Sequence, residues 1–196
     1  MSKIKLLIFD ITDVISKVHN YKELFIQRIG MQHGIDPSYV RSAYTKSIAS
    51  QKRAMDKAFF GFAKELRLSV TSQELLQEFY ECFIPDRQII ETSQRLKSQG
   101  VKIAYMTNGL SVRPLVINHF HQHFFDFGIA SADLPFRKPD IRIYKMMMKN
   151  ASRLHIKPNE MFFTDDKGRN LIPARKLGWQ TYLFTDTQSL LDALVN

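Results

Sequence analysis

Apolar residues fall in two textures along the chain. Short runs, rich in β-branched or aromatic residues and too short for helices, lie at Ile4–Phe9, Val101–Met106, Phe127–Ala130, Met161–Thr164 and Thr181–Phe184. Each but the last ends at or beside a polar residue: Asp10, Thr107, Ser131 and Asp165. Between the later runs lie stretches of helical character, about as long as a β-α-β crossover requires. Near-continuous apolar strands alternating with helices predict a parallel sheet covered on both faces, an α/β fold of three layers.

Residues 17–85 break this alternation, for they contain no convincing strand and carry helix punctuation instead. Asp36-Pro37 supplies an N-cap followed by proline at the first helical position. Thr71-Ser72-Gln73-Glu74 has the form of a capping box ahead of Leu75, Leu76, Phe79 and Tyr80. A further helix is expected from about Asp86 to Gly100. The organisation predicted is an α/β core made of residues 1–16 and 86–196, with an all-helical insert at 17–85 placed directly after the first strand.

Composition narrows the classes without choosing among them. The 196 residues are 44% apolar and 24% charged, with 8 Gly and 7 Pro, which excludes collagen, low-complexity disorder and a disulfide scaffold. Cys82 stands alone, so a reducing compartment is the expectation. No apolar run approaches the roughly 18 residues needed to cross a bilayer. The basic start, Met1 to Asp10, ends without a small-residue cleavage site and reads as a strand rather than a signal peptide. A cytoplasmic protein without a membrane partner is expected. Net charge is +9, but the basic residues are scattered, with no block of like charge and no basic-aromatic tract. That pattern argues for steering a small anion rather than for binding nucleic acid.

In an open parallel sheet, chemistry collects in the crevice beyond the carboxyl ends of the strands. The polar strand ends are therefore the candidates: Phe9-Asp10-Ile11-Thr12-Asp13, Thr107-Asn108-Gly109, Arg137-Lys138-Pro139-Asp140, and Thr164-Asp165-Asp166-Lys167-Gly168-Arg169-Asn170. If they converge, Asp10, Asp165 and Asp166 bring three negative charges that repel strongly. Lys138 cancels one, and a divalent cation the other two. A hard cation that also binds phosphate oxygens is Mg²⁺. An ionised Asp10 beside such an ion could attack phosphorus. Thr107 and the amides of Asn108 and Gly109 could cradle the transferred oxygens.

These four segments, in this order, resemble the four motifs of the haloacid dehalogenase-like (HAD) hydrolase superfamily, phosphatase branch, over nearly the whole chain from Ile4 to Trp179. The resemblance implies a Rossmann-like core with a small helical cap inserted after the first strand. It implies Asp10 as nucleophile, and Mg²⁺ held by Asp10, the Thr12 carbonyl, Asp165 and Asp166. Thr107, Asn108 and Gly109 would bind the phosphate, Lys138 would hold the charged transition state, and Asn170 would support the acidic loop. The partner implied is a small phosphorylated substrate.

One position departs from the pattern. Family phosphatases usually carry a second Asp two residues after the nucleophile, as acid for the leaving alkoxide and base for water. Here that residue is Thr12, whose hydroxyl cannot act as an acid near neutral pH. Asp13 follows, but in extended backbone its side chain would diverge from the site. The P-type ATPases, which resemble this site, also carry Thr there and expel a leaving group that needs no proton. Slow hydrolysis, or a restriction to good leaving groups, is one expectation. A weakly catalytic protein that binds a phosphorylated ligand or a protein is another. A 2-haloacid dehalogenase is a third, disfavoured by the intact Asp165-Asp166 pair.

Other features read as packing or solvated surface. His119 and His123 share a helical face in a segment starting near Val112, with His121 between them, but nothing completes a metal set. Tyr144, Met146, Met147, Met148 and Trp179 read as core filling. The insert carries ten Lys/Arg against seven Asp/Glu, and of its cluster Arg41, Lys46, Lys52, Arg53 and Lys57, one or two could meet an anionic substrate.

Overall fold

The computed structural model describes residues 4–16, 21–49, 55–108, 123–131 and 134–195. Strand β1 (Leu6–Phe9) is followed by four helices, α1 (Tyr21–His33), α2 (Pro37–Tyr44), α3 (Met55–Leu66) and α4 (Ser72–Glu81). Then come α5 (Arg87–Ser98), β2 (Lys102–Thr107), β3 (Phe127–Ala130), α6 (Ile141–Arg153), β4 (Met161–Asp165), α7 (Gly168–Lys176), β5 (Gln180–Leu183) and α8 (Thr187–Val195). The chain separates into two compact units, Met1–Lys17 with Pro85–Asn196, and Val18–Ile84.

The first unit is built on a five-stranded sheet in the order β3-β2-β1-β4-β5, and every pairing is parallel. Strand β1 is buried along its whole length, which is why Leu6, Leu7, Ile8 and Phe9 form an unbroken apolar run. The strand order reverses direction at β1, so a crevice opens between the ends of β1 and β4. Register fixes what lies there. Phe9 pairs with Thr164, and Asp10 donates its amide to the Thr164 carbonyl at 2.9 Å, which sets Asp10 level with Asp165.

On one side of the sheet, Ile143, Tyr144, Met147 and Ala151 of α6 join Leu171 and Ala174 of α7 and Trp179 in one buried cluster with Ile8, Met106 and Phe163. Of the methionine run, Met147 is fully buried while Met146 is 37% exposed, because only one of two adjacent helical positions can face the sheet. Asp140 caps α6 by accepting from the Arg142 amide. The segment 109–122, which carries His119, His121 and Gly109, lies outside the described residues; His123 is exposed.

The chain leaves and re-enters this unit at paired points. Ser16 and Pro85 form an antiparallel bridge, and Asp86 donates its amide to the Ile15 carbonyl at 2.6 Å. Asp86 then caps α5, accepting from the amides of Gln88 and Ile89, and takes the Thr187 hydroxyl at the start of α8.

The second unit is wholly helical among its described residues. Its core gathers Phe25, Tyr44, Phe59, Phe62 and Phe79, whose ring centroids lie 5.3–6.4 Å apart, mostly edge to face. Asp36 caps α2, and Thr71 with Glu74 forms the full capping box of α4. Two of its basic residues are occupied: Arg41 is bound by Glu23 and Lys46 by Glu65. This leaves them poor candidates for an incoming anion; Lys57 is exposed, and Lys52 and Arg53 lie outside the described residues.

Candidate functional site

Four strand-end segments meet at the crevice. Lys138 Nζ donates to Asp165 Oδ2 at 2.6 Å and lies 3.0 Å from Asp10 Oδ2, so one buried ammonium bridges the two carboxylates. Asp10, Asp165 and Asp166 each offer an oxygen within 4.8 Å of the others. Burial pushes the Asp10 carboxyl above its ordinary range, and Asp165 adds to this, against the opposing pull of Lys138. Two buried carboxylates on one ammonium, with Asp166 at their edge, leave a surplus of negative charge on hard oxygen donors. That donor set fits a hard divalent cation.

Each carboxylate is held in place. The Ile11 amide donates to Asp10 Oδ1 at 2.7 Å. Asn170 Nδ2 lies 2.8 and 3.0 Å from the two oxygens of Asp165, and the Lys167 amide donates to Asp165 Oδ1 at 2.9 Å. Asp166 takes the Lys167 ammonium at 3.2 and 2.9 Å. Lys167 is drawn down by burial, but Asp166 first, then Asp10 and Asp165, outweigh this and hold it above its ordinary value.

Three features go beyond the reading of the sequence. Asn108 was expected to offer its backbone amide to a phosphate; its side chain also binds the Lys138 backbone, accepting from N at 2.7 Å and donating to O at 2.9 Å. Tyr144 is not only core filling, because its hydroxyl donates to the Asn170 carbonyl at 2.5 Å. A buried tyrosine generally finds such a partner, which is the one signal that could have marked it. Finally, the chain after Asp10 is not extended. Ser16 donates its amide to the Ile11 carbonyl, and Asp13 sits at φ 63°, a left-handed conformation that Asp tolerates better than most residues. Asp13 does not join the cluster of Asp10, Asp165 and Asp166. Thr107 is buried at the end of β2, Thr12 is half-buried, and Gly109 lies outside the described residues.

The family model of haloacid dehalogenase-like hydrolases matches residues 4–178. The chain belongs to this family. Similar proteins differ in how much of the chain they match. The bifunctional epoxide hydrolase 2 of Rattus norvegicus is 34% identical over 116 residues, 56% of this chain and 20% of the relative. The sesquiterpene phosphatase astK of Aspergillus oryzae is 32% identical over 108 residues, 54% of each. A glyceraldehyde 3-phosphate phosphatase of Methanothermobacter thermautotrophicus is 24% identical over 197 residues, 92% of this chain and 85% of that one. The chain thus spans only a fifth to about half the length of the first two.

Solved HAD structures share the fold. A HAD family enzyme from Bacteroides thetaiotaomicron, in its magnesium complex, has a TM-score of 0.68 at 18% identity, covering 96% of this chain and 98% of that one. A HAD phosphatase from Thermococcus onnurineus has a TM-score of 0.64 at 22% identity, covering 91% and 85%. No helix among the described residues is long and apolar enough to cross a membrane.

Proposed function

We propose that this HAD-like hydrolase is a Mg²⁺-dependent phosphatase acting on a small phosphorylated substrate through an aspartyl-phosphate at Asp10. The observation that carries the reading is the buried bridge of Lys138 between Asp10 and Asp165, with Asp166 beside it. Three of the relatives and solved structures named above are described as phosphatases, and one as a magnesium complex. Asp10, Asp165, Asp166 and the Thr12 carbonyl are the groups that would hold the ion. When bound, it supplies the charge that lets an anionic nucleophile approach an anionic phosphate.

The remaining steps belong to the protein's own groups. An Asp10 oxygen attacks phosphorus as the bond to the leaving oxygen breaks, giving an acyl phosphate and a departing alkoxide. Lys138 neutralises charge that spreads over the phosphoryl oxygens, and Thr107 with the amides of Asn108 and Gly109 binds them. Water then cleaves the acyl phosphate and restores Asp10. Thr12 stands where the usual acid would be, and among the described residues Asp13 is not grouped with Asp10, Asp165 and Asp166. Loss of such help typically costs about 10²–10⁴-fold in rate. The reading therefore includes a preference for leaving groups that need no proton. The helical insert acts in this reading as the cap.

Thr12 also favours a second reading, a protein that binds a phosphorylated ligand and turns it over very slowly. The nearby acids Asp165 and Asp166 argue against a 2-haloacid dehalogenase. Hydrolysis of p-nitrophenyl phosphate, whose leaving group needs little acid help, separates the readings. Turnover that is abolished by EDTA, restored by Mg²⁺ and lost in Asp10→Asn supports the phosphatase. Silence under all conditions, with phosphate binding retained, supports the second reading.

A further inference from the structure

Asp165 and Asp166 are neighbours with different occupancy. Asp165 Oδ1 accepts from the Lys167 amide and from Asn170 Nδ2, while Oδ2 accepts from Lys138 Nζ and from Asn170 Nδ2. A carboxylate offers about four lone-pair sites in all, so Asp165, held by three nitrogen donors, has less room for a cation than its neighbour. Asp166 is engaged by the ammonium of Lys167 alone among the hydrogen bonds of the described residues.

The two lysines differ in how readily they can let go. Lys138 is fully buried between its carboxylates, so moving it would strand a charge. The Lys167 side chain is 49% exposed, and its ammonium can return to water at small cost. Its backbone stays anchored on Asp165, so only the side chain need move.

We propose that Lys167 is a built-in competitor for the divalent cation: its ammonium holds Asp166 until the cation displaces it into solvent, and it thereby sets the affinity for Mg²⁺. This rests on the metal reading above. Asp166 has more open coordination than Asp165, and of the two described ammonium groups at the site, Lys138 and Lys167, its partner is the one able to leave.

The test is calorimetric titration of Mg²⁺ into metal-stripped protein without substrate, using wild type, Lys167→Ala, Lys167→Arg and Arg169→Ala. Lys167 makes no side-chain cap bond to α7, so alanine leaves the helix start in place. Lys167→Ala is expected to bind Mg²⁺ about two- to fivefold more tightly, the range one partly solvated ion pair can supply. Lys167→Arg keeps the competing charge and should bind like wild type. Arg169, exposed and two residues on, should have no such effect when removed. Equal or weaker binding by Lys167→Ala overturns the proposal, as does equal tightening in Arg169→Ala, which would mean a general field effect. Absence of Mg²⁺ binding in both wild type and Lys167→Ala overturns the metal reading and this inference with it.

Discussion

The side chain of Asn108 closes on both polar groups of the Lys138 backbone, accepting from its N–H at 2.7 Å and donating to its carbonyl at 2.9 Å. An asparagine at the end of β2 thus fixes the residue whose ammonium bridges Asp10 and Asp165. Asn108→Ala removes both bonds and frees the Lys138 backbone to shift. Groups that orient an active-site residue typically cost 10–100-fold when lost, so p-nitrophenyl phosphate turnover is expected to fall about tenfold or more. Asn108→Asp keeps the acceptor and loses the donor, and should fall between wild type and Asn108→Ala.

Tyr144 acts at one remove. Its hydroxyl meets the Asn170 carbonyl at 2.5 Å, and the Asn170 side chain holds Asp165. Tyr144→Phe keeps the ring in the cluster with Phe163 and Trp179 and deletes only the hydrogen bond. A loss of about 1 kcal/mol in urea unfolding is expected. No change in the urea midpoint would mean that the bond contributes nothing net.

These two contacts show where the sequence stops being informative. The five strands were legible because buried parallel strands must be apolar throughout, and the polar residue ending each run marked the crevice. Caps at Asp36, Thr71 and Asp86 were legible because capping is local chemistry within about three residues. Asn108 and Tyr144 act over 30 and 26 residues of chain, and their partners are backbone atoms, which no side-chain pattern reveals. The turn at Asp13 was missed for a related reason. Residue types after Asp10 do not distinguish an extended exit from a left-handed one, since Asp allows both.

Gly128 shows the same dependence on partners, for it faces Tyr105 across β2 and β3. A Cβ there would lie 2.1 Å from the tyrosine ring, far inside contact distance. Gly128→Ala is expected to destabilise the protein by about 1–3 kcal/mol, the usual cost of overpacking. Urea denaturation should show a lower midpoint with an unchanged slope. Adding Tyr105→Ala should recover part of the loss; a double variant no more stable than Gly128→Ala would point to strand geometry instead.

In the helical unit, the Glu23–Arg41 pair should make stability respond to acid. Arg41 donates to both oxygens of Glu23 at 2.5 and 2.6 Å, and Gln27 adds a third bond, so the Glu23 carboxyl is pushed down to about 2 from 4.5. Between those values the folded protein binds fewer protons than the unfolded chain. The contribution is therefore complete above about pH 4.5 and fades as pH falls toward 2. Glu23→Gln should unfold with a shallower dependence on pH across that window, measured by helical circular dichroism. Identical acid titrations for the two proteins would refute the link.

Thr12 stands two residues after Asp10, and the carboxylate that follows it, Asp13, lies outside the cluster of Asp10, Asp165 and Asp166. If the missing acid limits the reaction, Thr12→Asp should help most where the leaving group most needs a proton. For an alkyl phosphate, turnover is expected to rise by about 10²–10⁴-fold, the usual worth of general acid–base catalysis. For p-nitrophenyl phosphate, the first step should change little, and any gain must come from activating water against the acyl phosphate. Comparing the two substrates therefore divides the contribution of an acid from that of a base. A gain of the same size on both would assign the limitation to water attack. No gain on either would mean that Thr12 is not what restrains the chemistry, and that the local turn from Ile11 to Ser16 keeps even a correctly chosen carboxylate away from the reacting oxygen.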